Sequence, residues 1–191
     1  MTSPLIEDHA LLSDQRTTAL VTRDGDVDWL CMPRFDSDAV LTSLLGEDSH
    51  GHWSLRIADG EPVSRRYLPG TMVLETEWRA PGGAATVVEF LPIDGADGSP
   101  DADAARSDLV RTVTCTEGEV EVVQELVLRF EYGAAVPWVR RTEDLAGQGV
   151  LVAVAGGDAV ALHGPALQAE GHSHHGRHRL AAGESADWVL T

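Results

Sequence analysis

The stretch Asp24-Gly25-Asp26-Val27-Asp28-Trp29-Leu30-Cys31-Met32-Pro33-Arg34-Phe35-Asp36-Ser37-Asp38-Ala39-Val40-Leu41-Thr42-Ser43-Leu44-Leu45-Gly46 decides how this chain folds. Arg23-Asp24-Gly25-Asp26 is turn chemistry, because glycine tolerates the positive φ of a tight hairpin. Val27 to Met32 reads as a strand, and Pro33 ends it, having no N–H for a ladder. Asp36 or Ser37 can cap a short helix over 38–45, with Val40, Leu41, Leu44 and Leu45 on one side and Gly46 to stop it.

Upstream, Leu5 to Leu12 is an extended lead-in or one helical turn, and Thr17 to Thr22 is the first arm of the hairpin closed at Asp24-Gly25. Downstream, His52 to Ile57 alternates Trp53, Leu55 and Ile57 against polar neighbours, the period of a half-buried strand. Thr71 to Arg79 puts Met72, Leu74, Thr76 and Trp78 on one face, and Ala84 to Leu91 returns from the Pro81-Gly82-Gly83 turn. Leu109–Cys115 and Val120–Leu128 read as a hairpin turning at Glu117-Gly118. Arg129 to Gly133 is an aromatic corner, and short strands follow near 138–142, 150–155, 159–163, 168–171, 178–181 and 186–190. Many short strands at roughly ten-residue spacing predict an all-β fold: a large antiparallel β-sandwich with one short helix near the N-terminus, residues 1–191 forming one domain. Residues 94–107, rich in Asp, Ala and Gly without periodicity, predict a flexible loop. The last residues, Asp187 to Thr191, are an apolar strand and not a polar tail, which predicts a longer parent polypeptide.

With 43% apolar residues among 191, the chain can bury a real core. Its net charge of -17 repels phosphate backbones and anionic lipid, so neither nucleic acid nor a membrane is an expected partner. The longest apolar run, 150–162, is too short to cross a bilayer and is broken at Gly156-Gly157-Asp158. No leader segment is visible, and Cys31 and Cys115 read as buried free thiols, so a cytoplasmic location is expected.

Candidate chemistry is sparse. Asp24, Asp26, Asp28, Asp36 and Asp38 crowd the opening stretch, and glycoside cleavage needs a carboxylic acid and a carboxylate about a sugar bond. Turn-forming, capping and an Arg34–Asp36 ion pair explain the same acids. Gly171-His172-Ser173-His174-His175-Gly176-Arg177-His178 offers His172 and His174 as weak metal candidates at i, i+2. A solvated, glycine-flanked hairpin explains them better, so no metal site is assigned. There is neither a Gly-x-Ser-x-Gly elbow nor a glycine-rich phosphate cradle, so no catalytic residue and no cofactor is assigned. Five tryptophans could stack on sugar rings, but most sit in alternating strands, where core packing is the default.

Several runs carry a family likeness: Ile6 to Asp14, Ala19 to Gly25, Val27-Asp28-Trp29-Leu30-Cys31-Met32-Pro33-Arg34-Phe35-Asp36-Ser37, Leu44-Leu45-Gly46, Gly51-His52-Trp53, Arg66 to Thr76, Glu89-Phe90-Leu91-Pro92, Leu109-Val110-Arg111 and Arg129 to Gly133. Together they resemble the amino-terminal domain of bacterial trehalases and glucoamylase-like enzymes of glycoside hydrolase family 15. Glu89 stands where that family's pattern has Asp, and Leu41 where an aromatic is usual. The resemblance implies a β-sandwich that precedes an (α/α)6 barrel holding two catalytic glutamates, and nothing in this chain matches that barrel. It therefore implies a non-catalytic domain of an α-glucoside hydrolase, inactive alone, with the missing barrel and the parent's α-glucoside substrate as its partners. Arg34, Phe35, Asp36 and Trp29 are the candidates for the rim of the substrate cleft. The alternative is a stand-alone carbohydrate-binding or structural β-sandwich module, which would present a row of exposed tryptophans if it bound glucans.

Overall fold

The computed structural model describes residues 4–93 and 107–191. Among them are β1 (Ala10–Ser13), β2 (Thr18–Val21), β3 (Asp26–Cys31), β4 (Ala39–Leu41), β5 (His52–Ile57), β6 (Glu61–Tyr67), β7 (Leu74–Ala80), β8 (Gly83–Phe90), β9 (Leu109–Val127), β10 (Trp138–Glu143), β11 (Gly149–Ala155), β12 (Asp158–His163), β13 (Gln168–Glu170), β14 (Ser173–Ala181) and β15 (Ser185–Leu190). Every named pairing is antiparallel. The all-β expectation holds, and the only helical pieces among the described residues are three single 3-10 turns, at Ile6–Asp8, Ser43–Leu45 and Asp48–His50.

The strands make one continuous sheet organised about β9. The first half of β9, from Leu109 to Gly118, pairs with β8 and β15. Its second half pairs with β5 and β14. Two wings result. Wing A carries β1–β5, β13 and β14; wing B carries β6–β8, β15, β12, β11 and β10. They fold face to face: Arg111 of wing B donates to the carbonyls of Trp53 (2.9 Å) and Gly25 (2.7 Å) in wing A. Tyr67 of β6 meets the backbone of Leu11 in β1. Leu30, Leu41, Trp53, Leu55, Trp78, Val113, Leu126 and Trp188 fill the space between.

Two local expectations fail for physical reasons. The helix expected over 38–45 is instead β4, whose three residues are all buried, followed by one 3-10 turn. Leu41 and Ala39 pair with Leu30 and Cys31 of β3, so no solvent face is left for an amphipathic helix and tertiary pairing overrides local propensity. The hairpin expected at Glu117-Gly118 is instead one strand that passes from wing to wing. Gly118 adopts φ +65° and lies opposite Gly83, and a Cβ on either would sit 2.1–2.2 Å from the facing carbonyl oxygen. The two backbones can cross this closely only as glycines, and the register slips one residue at Ala84/Ala85, so the strand bends and does not reverse.

The loop expected at 94–107 lies outside the described residues except for Ser107, which is buried. The segment from Gln168 to Ala181 is a hairpin as expected, but His174 faces inward and is buried, so the segment is not solvated throughout. Trp53, Trp78 and Trp188 are buried, as the core-packing default has it.

Candidate functional site

The corner that follows β3 begins at a cis Met32–Pro33 bond and is tied at several points. Phe35 N donates to the Arg16 carbonyl at 2.8 Å, Ser37 N donates to Arg34 O at 3.0 Å, and Arg34 N donates to Ser37 Oγ at 3.3 Å. Arg34 Nε donates to Asp36 Oδ1 at 2.9 Å, with Nη2 3.4 Å from Oδ2. The Arg34 guanidinium, by hydrogen bond first, holds the Asp36 carboxyl below the usual carboxylate range. The two charges therefore cancel on the surface and leave Phe35, 67% exposed, as the projecting group. A fixed backbone with an apolar ring at its tip and a paired donor–acceptor beside it can meet a ligand or a partner without much ordering cost.

Beneath the corner is a buried polar knot. Asp14 Oδ1 accepts from the backbone N–H groups of Arg16 and Thr17, both at 2.8 Å. The Ser107 hydroxyl lies 2.7 Å from Asp14 Oδ2 and 2.8 Å from Pro33 O. Thr17 Oγ1 donates to Cys31 O at 2.5 Å. These bonds fix where the corner leaves the sheet. Beside it opens a cleft of about 270 Å³, lined by Met32, Pro33, Val40, Ser107 and Phe130 and by the carboxylates Asp38 and Asp158, both of which are exposed.

Trp29, the other rim candidate, does not join this group in any contact the structure shows. It is half-buried and sits against Tyr132, with ring centroids 6.3 Å apart and planes tilted by 40°. Tyr132 is held there by a turn in which Glu131 and Tyr132 adopt φ +53° and +55°, a left-handed conformation that costs non-glycine residues free energy. The bridge between Phe130 and Ala135 closes that turn. Asp28, next to Trp29, is buried and accepts from His9 Nε2 at 2.7 Å; burial raises its pKa, opposed by the His9 contact.

The two weak metal candidates are not brought together. His172 lies exposed in the turn between β13 and β14, its carbonyl accepting from Arg129 at 3.3 Å, whereas His174 faces the core. Among the described residues no group of three His, Cys, Asp or Glu side chains is arranged to hold a metal ion. His174 Nδ1 and His178 Nε2 are buried without a hydrogen-bond partner, and desolvation lowers both pKa values below the ordinary 6.5. Unfolding lets each imidazole take up its proton more readily, so their contribution to stability is complete above about pH 6.5 and shrinks as the pH falls below it. Urea midpoints should therefore drop between about pH 7.5 and pH 5.5, and replacing both histidines with glutamine should flatten that slope.

Sequence reasoning missed the centre of the molecule. Arg111, fully buried, donates through Nε to Glu89 Oε1 at 2.8 Å, and its guanidinium carbon lies 4.8 Å above the Trp53 ring. The signal was present: Glu89 keeps step with Ala85 and Val87, and Arg111 with Leu109 and Val113, so both charges stand at core positions of their strands.

The family model described as trehalase-like, N-terminal, matches residues 1–185. Trehalase of Mycolicibacterium smegmatis is 37% identical over 140 residues, which are 68% of this chain and 21% of that protein. Trehalase of Mycobacterium tuberculosis is 36% identical over 140 residues, 68% of this chain and 20% of its own length. Trehalase 1 of Sulfolobus acidocaldarius is 34% identical over 129 residues, 67% of this chain and 20% of its own length. The chain thus spans about a fifth of the relatives it matches.

Proposed function

Because this chain belongs to the trehalase-like N-terminal family, we propose that it is the non-catalytic front domain of an α-glucoside hydrolase of trehalase or glucoamylase type. In this reading it packs on a catalytic (α/α)6 barrel and lends the Arg34-Phe35-Asp36 corner to the rim of the substrate cleft. The observation that carries the reading is one of extent: the family match runs over nearly the whole chain, yet the chain equals only about a fifth of each trehalase. The corner supports the finer part, since Phe35 is exposed on a backbone that is already fixed. Trp29 stays in this reading as a rim candidate, half-buried against Tyr132 and not in contact with the corner.

A free carbohydrate-binding module fits less well. It calls for a row of exposed tryptophans, but of the five only Trp138 is largely exposed, at 71%, with Trp29 half-buried. The parent's partners in this reading are its α-glucoside and its own barrel, with no nucleic acid and no membrane, consistent with the charge of -17. No helix among the described residues is long and apolar enough to cross a membrane. The free buried thiols of Cys31 and Cys115 suit the cytoplasm.

The test is enzymatic. The purified chain should not hydrolyse trehalose or maltose, and turnover by it would overturn the proposal. In a complete enzyme carrying this domain, Arg34→Ala should raise KM for the sugar several-fold with kcat little changed, because it frees Asp36 and loosens the rim without touching the reacting bond. An unaltered KM removes the corner from the site.

A further inference from the structure

We propose that the pocket between the inner face of β10–β12 and the chain that crosses it, residues 164–167, binds a small monocarboxylate with an apolar body, Arg141 taking the carboxylate. Its lining shares no residue with the cleft beside the Pro33 corner, so the two sites stand or fall separately.

The register builds the pocket. Cross-strand partners share a sheet face. Arg141 of β10 pairs with Leu151 of β11, Leu151 with Leu162 of β12, and Leu162 with Leu190 of β15. Leu162 and Leu190 are buried in the core, so the whole row looks inward. Three leucines thus run out to the edge of the sheet and end at a guanidinium. Over them passes the connection from β12 to β13, which is tied down twice. Trp188 Nε1 donates to the Pro165 carbonyl at 3.1 Å, and Arg141 Nη2 donates to the Leu167 carbonyl. Leu167 itself is buried against β14, where a Cβ on Gly176 would lie 2.5 Å from its Cδ2. Sheet and crossing chain enclose about 190 Å³ with walls already fixed, so binding costs little ordering.

The lining selects the chemistry of the ligand. Arg141 is its only charged side chain, and Leu151, Leu162, Pro165 and Leu167 make most of the rest. Most arginines of this chain meet a carboxylate. Arg141 meets none among the described residues, and the hydrogen bond it makes is to a neutral carbonyl. Glu143 shares its face by register, opposite Gly149, but neither pairs with it nor lines the pocket. A guanidinium carries five donors in a planar fork that suits a carboxylate, so most of them remain free. Its charge is felt inside the fold as well. Burial first, then the charges of His175 and Arg141, hold the His174 imidazole below its ordinary pKa, against a hydrogen bond at the Leu126 backbone. A sugar in this pocket would leave hydroxyls against leucines without partners. A bare inorganic anion would gain little at an exposed guanidinium on a chain of charge -17, so an apolar body must supply the rest. That body is short, because the pocket falls below the roughly 300 Å³ at which drug-sized sites begin.

Calorimetric titration of the chain with hexanoate, at about 0.15 M salt, tests this. Hexanoate should bind one to one with a Kd of about 1 mM or tighter, and no saturable binding at about tenfold that concentration overturns the site. Hexan-1-ol keeps the body and acetate keeps the head; each should bind at least about fivefold more weakly. Either one matching hexanoate overturns the assigned class. Arg141→Met should weaken hexanoate binding at least about fivefold. Arg140→Met, the next residue but on the opposite face, should change it less than about twofold. Equal losses trace to net charge alone and overturn the pocket. Gly149→Leu is the steric arm. A Cβ on Gly149 meets nothing within 4 Å, so this variant should melt within a few degrees of wild type. Its side chain enters the pocket that Gly149 lines, and should cut binding at least about fivefold. Undiminished binding by the folded variant overturns the pocket even where Arg141→Met has lost it. Should either variant not fold, the wild-type chain decides by NMR. Hexanoate should move the His174 ring resonances, because it cancels a charge felt there, and unmoved resonances overturn the proposal.

Discussion

Replacing Glu89 with alanine should destabilise this chain by about 3–5 kcal/mol, the cost of leaving a buried cation without its partner. Arg111 is fully buried and Glu89 is 2% exposed, so water cannot replace the lost carboxylate. The guanidinium would keep its bonds to Trp53 O and Gly25 O, but its charge would be uncompensated. Glu89→Gln keeps an acceptor near Nε and should cost less than the alanine; Arg111→Ala should cost as much, because it strands the carboxylate. Joint replacement of the two by methionines should recover most of the loss, since an apolar pair leaves no buried charge. Urea unfolding followed by tryptophan fluorescence checks all four. Equal stability of Glu89→Ala and wild type would show that the Glu89 carboxylate is not needed to compensate the buried guanidinium.

The second large effect is expected at the hairpin tip. Gly25 has φ +85°, and a Cβ there would lie 2.4 Å from the backbone oxygen of Leu55 in β5. Gly25→Ala therefore combines a strained backbone with a contact that no side-chain rotation relieves, at about 2–4 kcal/mol together. Gly25 O also accepts from Leu55 N at 3.1 Å and from Arg111, so pushing the tip away loosens β5 and the buried ion pair at once. Gly70 serves as the control: its φ is +77° with nothing within 4 Å, so Gly70→Ala should cost about 1 kcal/mol, the backbone share alone. If the two substitutions melt alike, the close approach at Gly25 contributes nothing.

These two positions also show what could be read from the residues. Asp24-Gly25 announced a turn, and His52 to Ile57 announced a strand with the same bounds as β5, because local rules govern both. That the turn would press on that strand is tertiary, and no pattern along the chain states it. Ala39 to Leu41 failed in the opposite direction: two-faced burial looks the same in a short helix and a short strand, and only the pairing with β3 decides. At the corner, Arg34 with Asp36 was legible from spacing, whereas the tie from Ser107 to Asp14 spans 93 residues and could not be. Trp29 was singled out for its neighbours in sequence, but its partner Tyr132 lies across the fold.

The crossing of β9 from one wing to the other has a thermodynamic consequence. A polypeptide whose halves are spliced through one shared ribbon has no seam along which to come apart. Any opening that frees the first half of β9 also exposes the edge of the second, and the ion pair seated on Leu109-to-Gly118 goes with it. Such an architecture melts as one cooperative unit, and it must bring distant segments together before either wing is secure, which makes its assembly slow.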